Sequence, residues 1–308
     1  MDAYDVYVDA ALTNFSNVHK NGRLVADLVM PPFRVAKDSG KYLEMGKEEF
    51  HIDDGEDLIL EDGEAKTMTI DGEWKDFVTT PRALKKFIPQ RQLDLASPPW
   101  KVEKTVVEKL TNRLKLSLEY RVWQLALARS VADSQTTTPA NNWNVAAGTP
   151  GLDIAAAKKT FREATGGLEA THMVMGASVA DALCIHDDII GKRAYTDKKV
   201  LSYGRQLPSP LFGLTPIVPE GQYNSADEGA AASYTAIWAT DCYLLAIESP
   251  GLEYDGWGCQ FYVGKRFKVR KWREEKRGYD GGLWIQVQLN QKEIEVNTLA
   301  LWELKDLL

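Results

Sequence analysis

Gly176-Ala177-Ser178-Val179-Ala180 is the segment in which a side chain could be set up for nucleophilic attack. In a G-x-S-x-G elbow, a sharp strand-to-helix turn exposes the serine hydroxyl to a substrate carbonyl. Here Ala180 stands where the last glycine should be, and the one histidine after Ser178 is His186, eight residues on and by its spacing in the same helix. A triad in hydrolase order needs a histidine well downstream. Ser178 followed by Asp181 therefore reads as a helix start, in which the hydroxyl satisfies a free backbone N–H. A second cluster, Cys184, His186, Asp187 and Asp188, holds metal-ligating types. On a helix, positions i and i+2 face different ways, and no second pair with zinc-like spacing accompanies this one. The sequence also has no P-loop, dinucleotide fingerprint or H-E-x-x-H. The expectation is a protein that is not an enzyme and uses no cofactor or metal.

Charge is distributed more unusually. Lys265, Arg266, Lys268, Arg270, Lys271, Arg273, Lys276 and Arg277 interleave with Phe267 and Trp272. Cations beside rings can grip phosphates and stack on bases, so a nucleic-acid surface is one reading. Against it stands a run of ten carboxylates between residues 44 and 64, among them Glu48, Glu49, Asp53, Asp54, Glu56 and Asp57, with Lys47 as the one basic residue. Such a run is ordinarily a solvated face. It is also complementary to the basic strand, and opposite charges on two surfaces steer and register an association. A self-assembling protein would carry both halves of that contact, and this is the preferred reading.

The elements that position these groups follow from pattern. Residues 1 to 40 hold one short helical pattern, Leu24, Val25, Leu28 and Val29, before the breaker Pro31-Pro32; with too few apolar groups for a core, they form an arm. Strand-like stretches at 65–70 and 73–79 are joined by Asp71-Gly72, a hairpin signal, so the acidic segment belongs to a protruding β-loop. From Pro98-Pro99 to about Val131, residues Val102, Val106, Leu110, Leu114, Leu118, Val122 and Leu125 repeat every four and then three positions, which predicts one continuous helix with a single apolar stripe. A loop rich in Thr, Asn, Pro and Gly follows at 134–150. Helices capped by Asp153 and started at Ser178 then alternate with strands at 171–175, 215–218 and 234–247, a compact α/β unit. The end is strand: 260–273, a Gly-rich turn, 283–289 and 294–301, read as an antiparallel meander. Helices and strands are segregated, so the class is α+β.

Bulk properties agree with a folded chain. The 308 residues are 44% hydrophobic and 26% charged, ordinary globular usage. No apolar run reaches a membrane span and the N-terminus lacks a signal pattern, so no membrane partner and synthesis in the cytoplasm are expected. Cys184, Cys242 and Cys259, odd in number and far apart, are expected as free, mostly buried thiols. A net charge of -7 argues against a whole surface that grips nucleic acid, and suits a wall that encloses DNA without adhering to it.

Arm, protruding β-loop, long helix, α/β unit and closing long strands occur here in the order that resembles the major capsid proteins of tailed bacteriophages, a fold shared with encapsulins and the herpesvirus capsid floor. Leu24-Val25-Ala26-Asp27-Leu28-Val29-Met30-Pro31-Pro32-Phe33-Arg34-Val35, followed by Ser39-Gly40-Lys41-Tyr42, is similar to the arm region of many such subunits. The resemblance implies an N-arm at 1–40, an E-loop with its flanking segment at 41–97, a spine helix of the P-domain at 98–135, an A-domain at 136–250 and P-domain strands at 251–308. It implies a coat protein that assembles with itself into hexamers and pentamers of an icosahedral shell around double-stranded DNA, located in the virion capsid. Portal and decoration proteins would be further partners. Because the arm begins almost at Met1, a separate scaffolding protein is implied. In the family the E-loop crosses the P-domain of a neighbouring subunit, which would bring the acids of 44–64 to the basic strand. Some relatives join subunits by a Lys–Asn bond; Lys66 and Lys75 are the donors and Asn290 and Asn297 the acceptors that it would use here. An encapsulin shell loaded with cargo is the alternative within the fold, and a serine hydrolase built on Ser178 the alternative outside it.

Overall fold

The structure is a computed structural model that describes residues 7–19, 21, 24–45, 72–95, 99–132, 135–189, 207–227, 229–239, 241–248, 256–277 and 280–308. The acidic segment from 46 to 71 thus lies outside the described residues, and with it the strand expected at 65–70 and Lys66.

In chain order the N-terminal part contains β1 (Tyr7–Val8), α1 (Ala10–Val18), α2 (Ala26–Val29), β2 (Pro32–Val35), β3 (Ser39–Met45), β4 (Gly72–Val78), β5 (Thr80–Pro89) and α3 (Gln90–Asp94). The spine helix α4 spans Pro99–Ala132. Then come β6 (Thr136–Thr137), α5 (Pro150–Ala164), β7 (His172–Met175), α6 (Ala177–Ile185), β8 (Thr215–Ile217), β9 (Gln222–Asn224), β10 (Tyr234–Ala236) and β11 (Cys242–Leu245). Two long strands, β12 (Gly258–Glu274) and β13 (Gly282–Glu295), and the short β14 (Leu301–Leu304) close the chain. The class is α+β, with mixed helices and strands. No described helix is long and apolar enough to cross a membrane.

The stripe on α4 serves two cores. Its first half, Val106, Val107, Leu110 and Leu114, packs with Leu12 of α1 and with Phe267, Val269, Ile285, Val287 and Leu289 of the long strands. Its second half, Leu118, Val122 and Ala126, enters the core of the α/β unit together with Val25, Ala26, Val29 and Met30 of the arm. At 1.5 Å per residue the helix is about 50 Å long, so one regular element can bridge both.

The first sheet has the order β1-β12-β13-β5, with β2 added in parallel beside the start of β12. Hence 260–273 and 283–289 do pair as an antiparallel hairpin, but the whole is not a meander. Strand β13 runs on to Glu295, so residues expected as the separate strand 294–301 divide between its end, a turn, and β14, which joins the second sheet, β6-β14-β11-β7-β8. The reason is local: Asn297 Oδ1 accepts from Leu299 N at 3.0 Å and its carbonyl accepts from Ala300 N, making a side-chain-closed turn that redirects the chain. The strand expected at 73–79 is β4, whose described partner is β3, from Ser39↔Val78 to Met45↔Gly72. Phe77 pins the base of this two-stranded ribbon in a small core with Cys259, Ile294 and Val296.

Candidate functional site

The basic run lies on β12, and strand alternation divides it. Phe267 and Val269 point inward and are buried. Lys268, Arg270 and Trp272 point outward, opposite Gln288, Gln286 and Trp284 of β13. The next strand adds Ala83, Lys85 and Phe87 to this outer face through its register with β13. Trp272 and Trp284 stack with centroids 6.0 Å apart and planes at 16°. Lys85 Nζ lies 4.7 Å above the Trp284 ring, and the Arg277 guanidinium lies 4.8 Å from it and 5.0 Å from Phe87. The outer face is therefore an aromatic ladder with cations on it, each such contact contributing about 0.5–1 kcal/mol at an exposed site. Beside it an open groove of about 450 Å³ is bordered by Arg82, Lys265, Arg266, Lys268, Arg270 and Asn290.

The cations fall into two groups. Arg266 Nη2 is 2.5 Å from Asp27 Oδ1 and 2.5 Å from Gln260 Oε1, while its Nε donates to Gln291 Oε1 at 3.2 Å. Lys271 meets Asp9 at 2.9 Å and Glu103 at 3.3 Å. These two fasten the arm and the spine to the sheet. Burial raises the Asp27 carboxyl, but Arg266 and Lys115 outweigh it and hold the group below its ordinary value. By contrast, no described carboxylate forms an ion pair with Lys265, Lys268, Arg270 or Arg273. The predicted acidic counterparts Glu48, Glu49, Asp53, Asp54, Glu56 and Asp57 lie outside the described residues, so only the basic half of the expected contact is in view.

Sequence reasoning missed three contributors to this region. Lys85, Phe87 and Trp284 reach the ladder through cross-strand register, which no local pattern encodes. Trp74 and Val78 are 65% and 63% exposed on one face of β4, which the alternation with buried Phe77 could have shown. An exposed tryptophan on a two-stranded ribbon is an apolar surface without a covering layer among the described residues.

The other singled-out residues have structural explanations. Gly176 is required because a Cβ there would stand 1.9 Å from the Ala239 carbonyl oxygen and 2.1 Å from that of Trp238. It is also the N-cap of α6, which corrects the capping role expected for Ser178; no side chain caps that helix. Ser178 lies in the first turn and its Oγ donates to Ala239 O at 3.3 Å. His186 is not in the helix with Ser178 but caps its C-terminal end, and its Nδ1 accepts from Asp188 N. Thr149, not Asp153, precedes α5; the Asp153 carboxylate instead accepts from Trp143 Nε1 at 2.8 Å. Cys242 and Cys259 are buried free thiols and Cys184 is half-buried. Burial pushes the Cys259 thiol up to about 12. Among the described residues no cluster of three His, Cys, Asp or Glu could hold a metal. Lys75 pairs with Glu44 at 2.6 Å, Asn290 Nδ2 donates to Asp38 at 2.8 Å, and Asn297 is fully buried in its turn.

No family model and no curated protein sequence matches the chain. Solved structures do. A phage-related protein from Bordetella bronchiseptica superposes with a TM-score of 0.76 at 19% identity, covering 99% of each chain. The capsid of cyanophage P-SCSP1u gives 0.55 at 11% identity, covering 93% of this chain and 90% of that one. An encapsulin complex from Synechococcus elongatus gives 0.50 at 15% identity, covering 97% and 95%. Over nearly its whole length, then, the chain has the fold of tailed-phage major capsid proteins, the fold that encapsulins share.

Proposed function

We propose that the chain is the major capsid protein of a tailed double-stranded DNA phage, assembling into hexamers and pentamers of an icosahedral shell in the virion. The observation that carries this reading is the outer face of the long-strand sheet, where Lys268 and Arg270, beside the Trp272–Trp284 ladder, form no ion pair with a carboxylate among the described residues although the same chain carries ten carboxylates between 44 and 64. The E-loop of a neighbouring copy, at 41–80, supplies the acids from Glu48 onward together with Phe50, Leu58, Ile59 and Leu60, apolar groups that suit the ladder. Buried apolar area drives the association, and the charges set its register. In this reading the chain is a structural protein without catalytic activity, and its other partners are a scaffolding protein, the portal, decoration proteins and enclosed DNA held without sequence preference.

The test is expression of the chain alone and with a scaffolding protein, followed by sedimentation and microscopy of the fast fraction. Closed shells or rings of five or six support the proposal; a strictly monomeric species under both conditions contradicts it. The fold of the Synechococcus encapsulin favours one second reading, a cargo-loaded nanocompartment. Nuclease-protected DNA inside shells purified from the native host supports the phage capsid, and an enclosed protein cargo supports the compartment.

A further inference from the structure

Arm, spine and α/β unit meet at one buried carboxylate. Glu119, on α4, has no solvent exposure. Its Oε2 accepts from two backbone amides at the start of the arm helix, Val25 N at 2.9 Å and Ala26 N at 2.6 Å. Its Oε1 accepts from the indole Nε1 of buried Trp238 at 2.7 Å. The division is unequal: two rigid donors from the arm on one oxygen, one side-chain donor from the α/β unit on the other.

The charged and titratable groups around it come from every neighbouring element. Asp27 of α2 is ion-paired with Arg266 of β12 and lies 3.9 Å from Lys115 of α4. On the α/β side, Tyr243 of β11 packs edge-on to Trp238 at 5.4 Å, and Glu303 of β14 is its partner in the ladder. From β13, Glu293 is held by Arg121 at 2.9 Å.

We propose that Glu119 is a proton-operated tie: ionised, it holds the α/β unit to the spine through Trp238, and as a neutral acid it keeps the arm and lets the indole go. A neutral carboxyl has one carbonyl oxygen that accepts strongly and one hydroxyl that donates and accepts only weakly. The backbone amides of Val25 and Ala26 are fixed by the helix they begin, so Oε2 keeps the acceptor role and the proton goes to Oε1. There the hydroxyl oxygen is a poor acceptor for the N–H of Trp238 and its proton competes for the same space, so the indole bond gives way. Burial pushes the Glu119 carboxyl up to about 7 against the pull of its three donors, with the charge of Asp27 adding to the rise. The change therefore falls within an ordinary pH range.

Glu119→Gln imitates the neutral form permanently, since its amide oxygen can serve the two backbone donors while its NH₂ opposes the indole. Trp238→Phe removes the tie and leaves Glu119 with its arm contacts. The experiment is hydrogen–deuterium exchange of the full chain and both variants at about pH 5.5 and about pH 8.5, corrected for intrinsic exchange, with readouts at segments 234–239 and 25–30. In the wild-type chain, protection at 234–239 should fall about tenfold from the higher to the lower pH, while 25–30 stays protected. Both variants should show the lower value at 234–239 at either pH; retained protection at 25–30 in Trp238→Phe separates loss of the tie from misfolding. Equal wild-type protection at both pH values, a wild-type-like drop in either variant, or loss of protection at 25–30 instead would overturn the proposal.

Discussion

Inner and outer faces of β12 alternate residue by residue: Phe267 and Val269 are buried against the spine, while Lys268 and Arg270 between them stand on the other side of the sheet. The cations divide by partner and not by face. Arg266 and Lys271 are satisfied by Asp27, Asp9 and Glu103 and hold the subunit together; Lys268, Arg270 and Arg273 have no such partner among the described residues. A polar group satisfied inside the chain and one left unsatisfied at its surface serve different ends, the first folding and the second association.

That contrast can be broken from the inside outward. The largest effect on the subunit comes from the spine stripe. Leu118→Ala, at the point where the helix passes from one core to the other, should cost about 3 kcal/mol, read as a lower denaturant midpoint. Next is Arg266→Ala, which removes the shortest donor contact of both Asp27 Oδ1 and Gln260 Oε1 and should cost about 2 kcal/mol in the same measurement.

A pH series sharpens the internal half of the comparison, because buried carboxylates of two kinds bend the curve in opposite senses. Burial raises Asp27 and Glu293, yet their arginine partners bring both below their unfolded values of 3.8 and 4.5. Their contribution is present above those values and is lost as pH falls through the lower native ones. Glu119 is raised from 4.5 to about 7, so its contribution is fully present below the unfolded value and is lost as pH rises through the native one. Stability measured by denaturant should drop at strongly acid pH and also decline between about pH 4.5 and 7, and Glu119→Gln should remove the second decline alone.

Part of this was legible without the structure. The spacing from Val102 to Leu125 predicts a continuous helix, and α4 is one, because a stripe of apolar residues every three to four positions has few other ways to be buried. The strand character of 260–273 was likewise written in its alternation. What was not legible depends on pairing across long distances. Nothing local tells Arg266 that Asp27 will be its partner, or that β14 will leave the first sheet for the second. Glu119 sits beside Leu118 like any helix-surface glutamate in sequence, and its role appears only when Val25 and Trp238 are folded onto it. Ser178 went partly astray for the opposite reason: the local motif suggested a cap, but the approach of the Trp238–Ala239 backbone made Gly176 the residue that sets the helix start.

The smallest expected effect on the subunit belongs to the outer face and tests the central claim most directly. Lys268→Glu and Arg270→Glu combined should change subunit stability by no more than about 0.5 kcal/mol, since neither forms an ion pair among the described residues. Sedimentation of that variant, under conditions in which the wild-type chain forms shells, should show folded subunits and no fast fraction. Normal shells from the variant would contradict the assignment of the outer face to contact between copies.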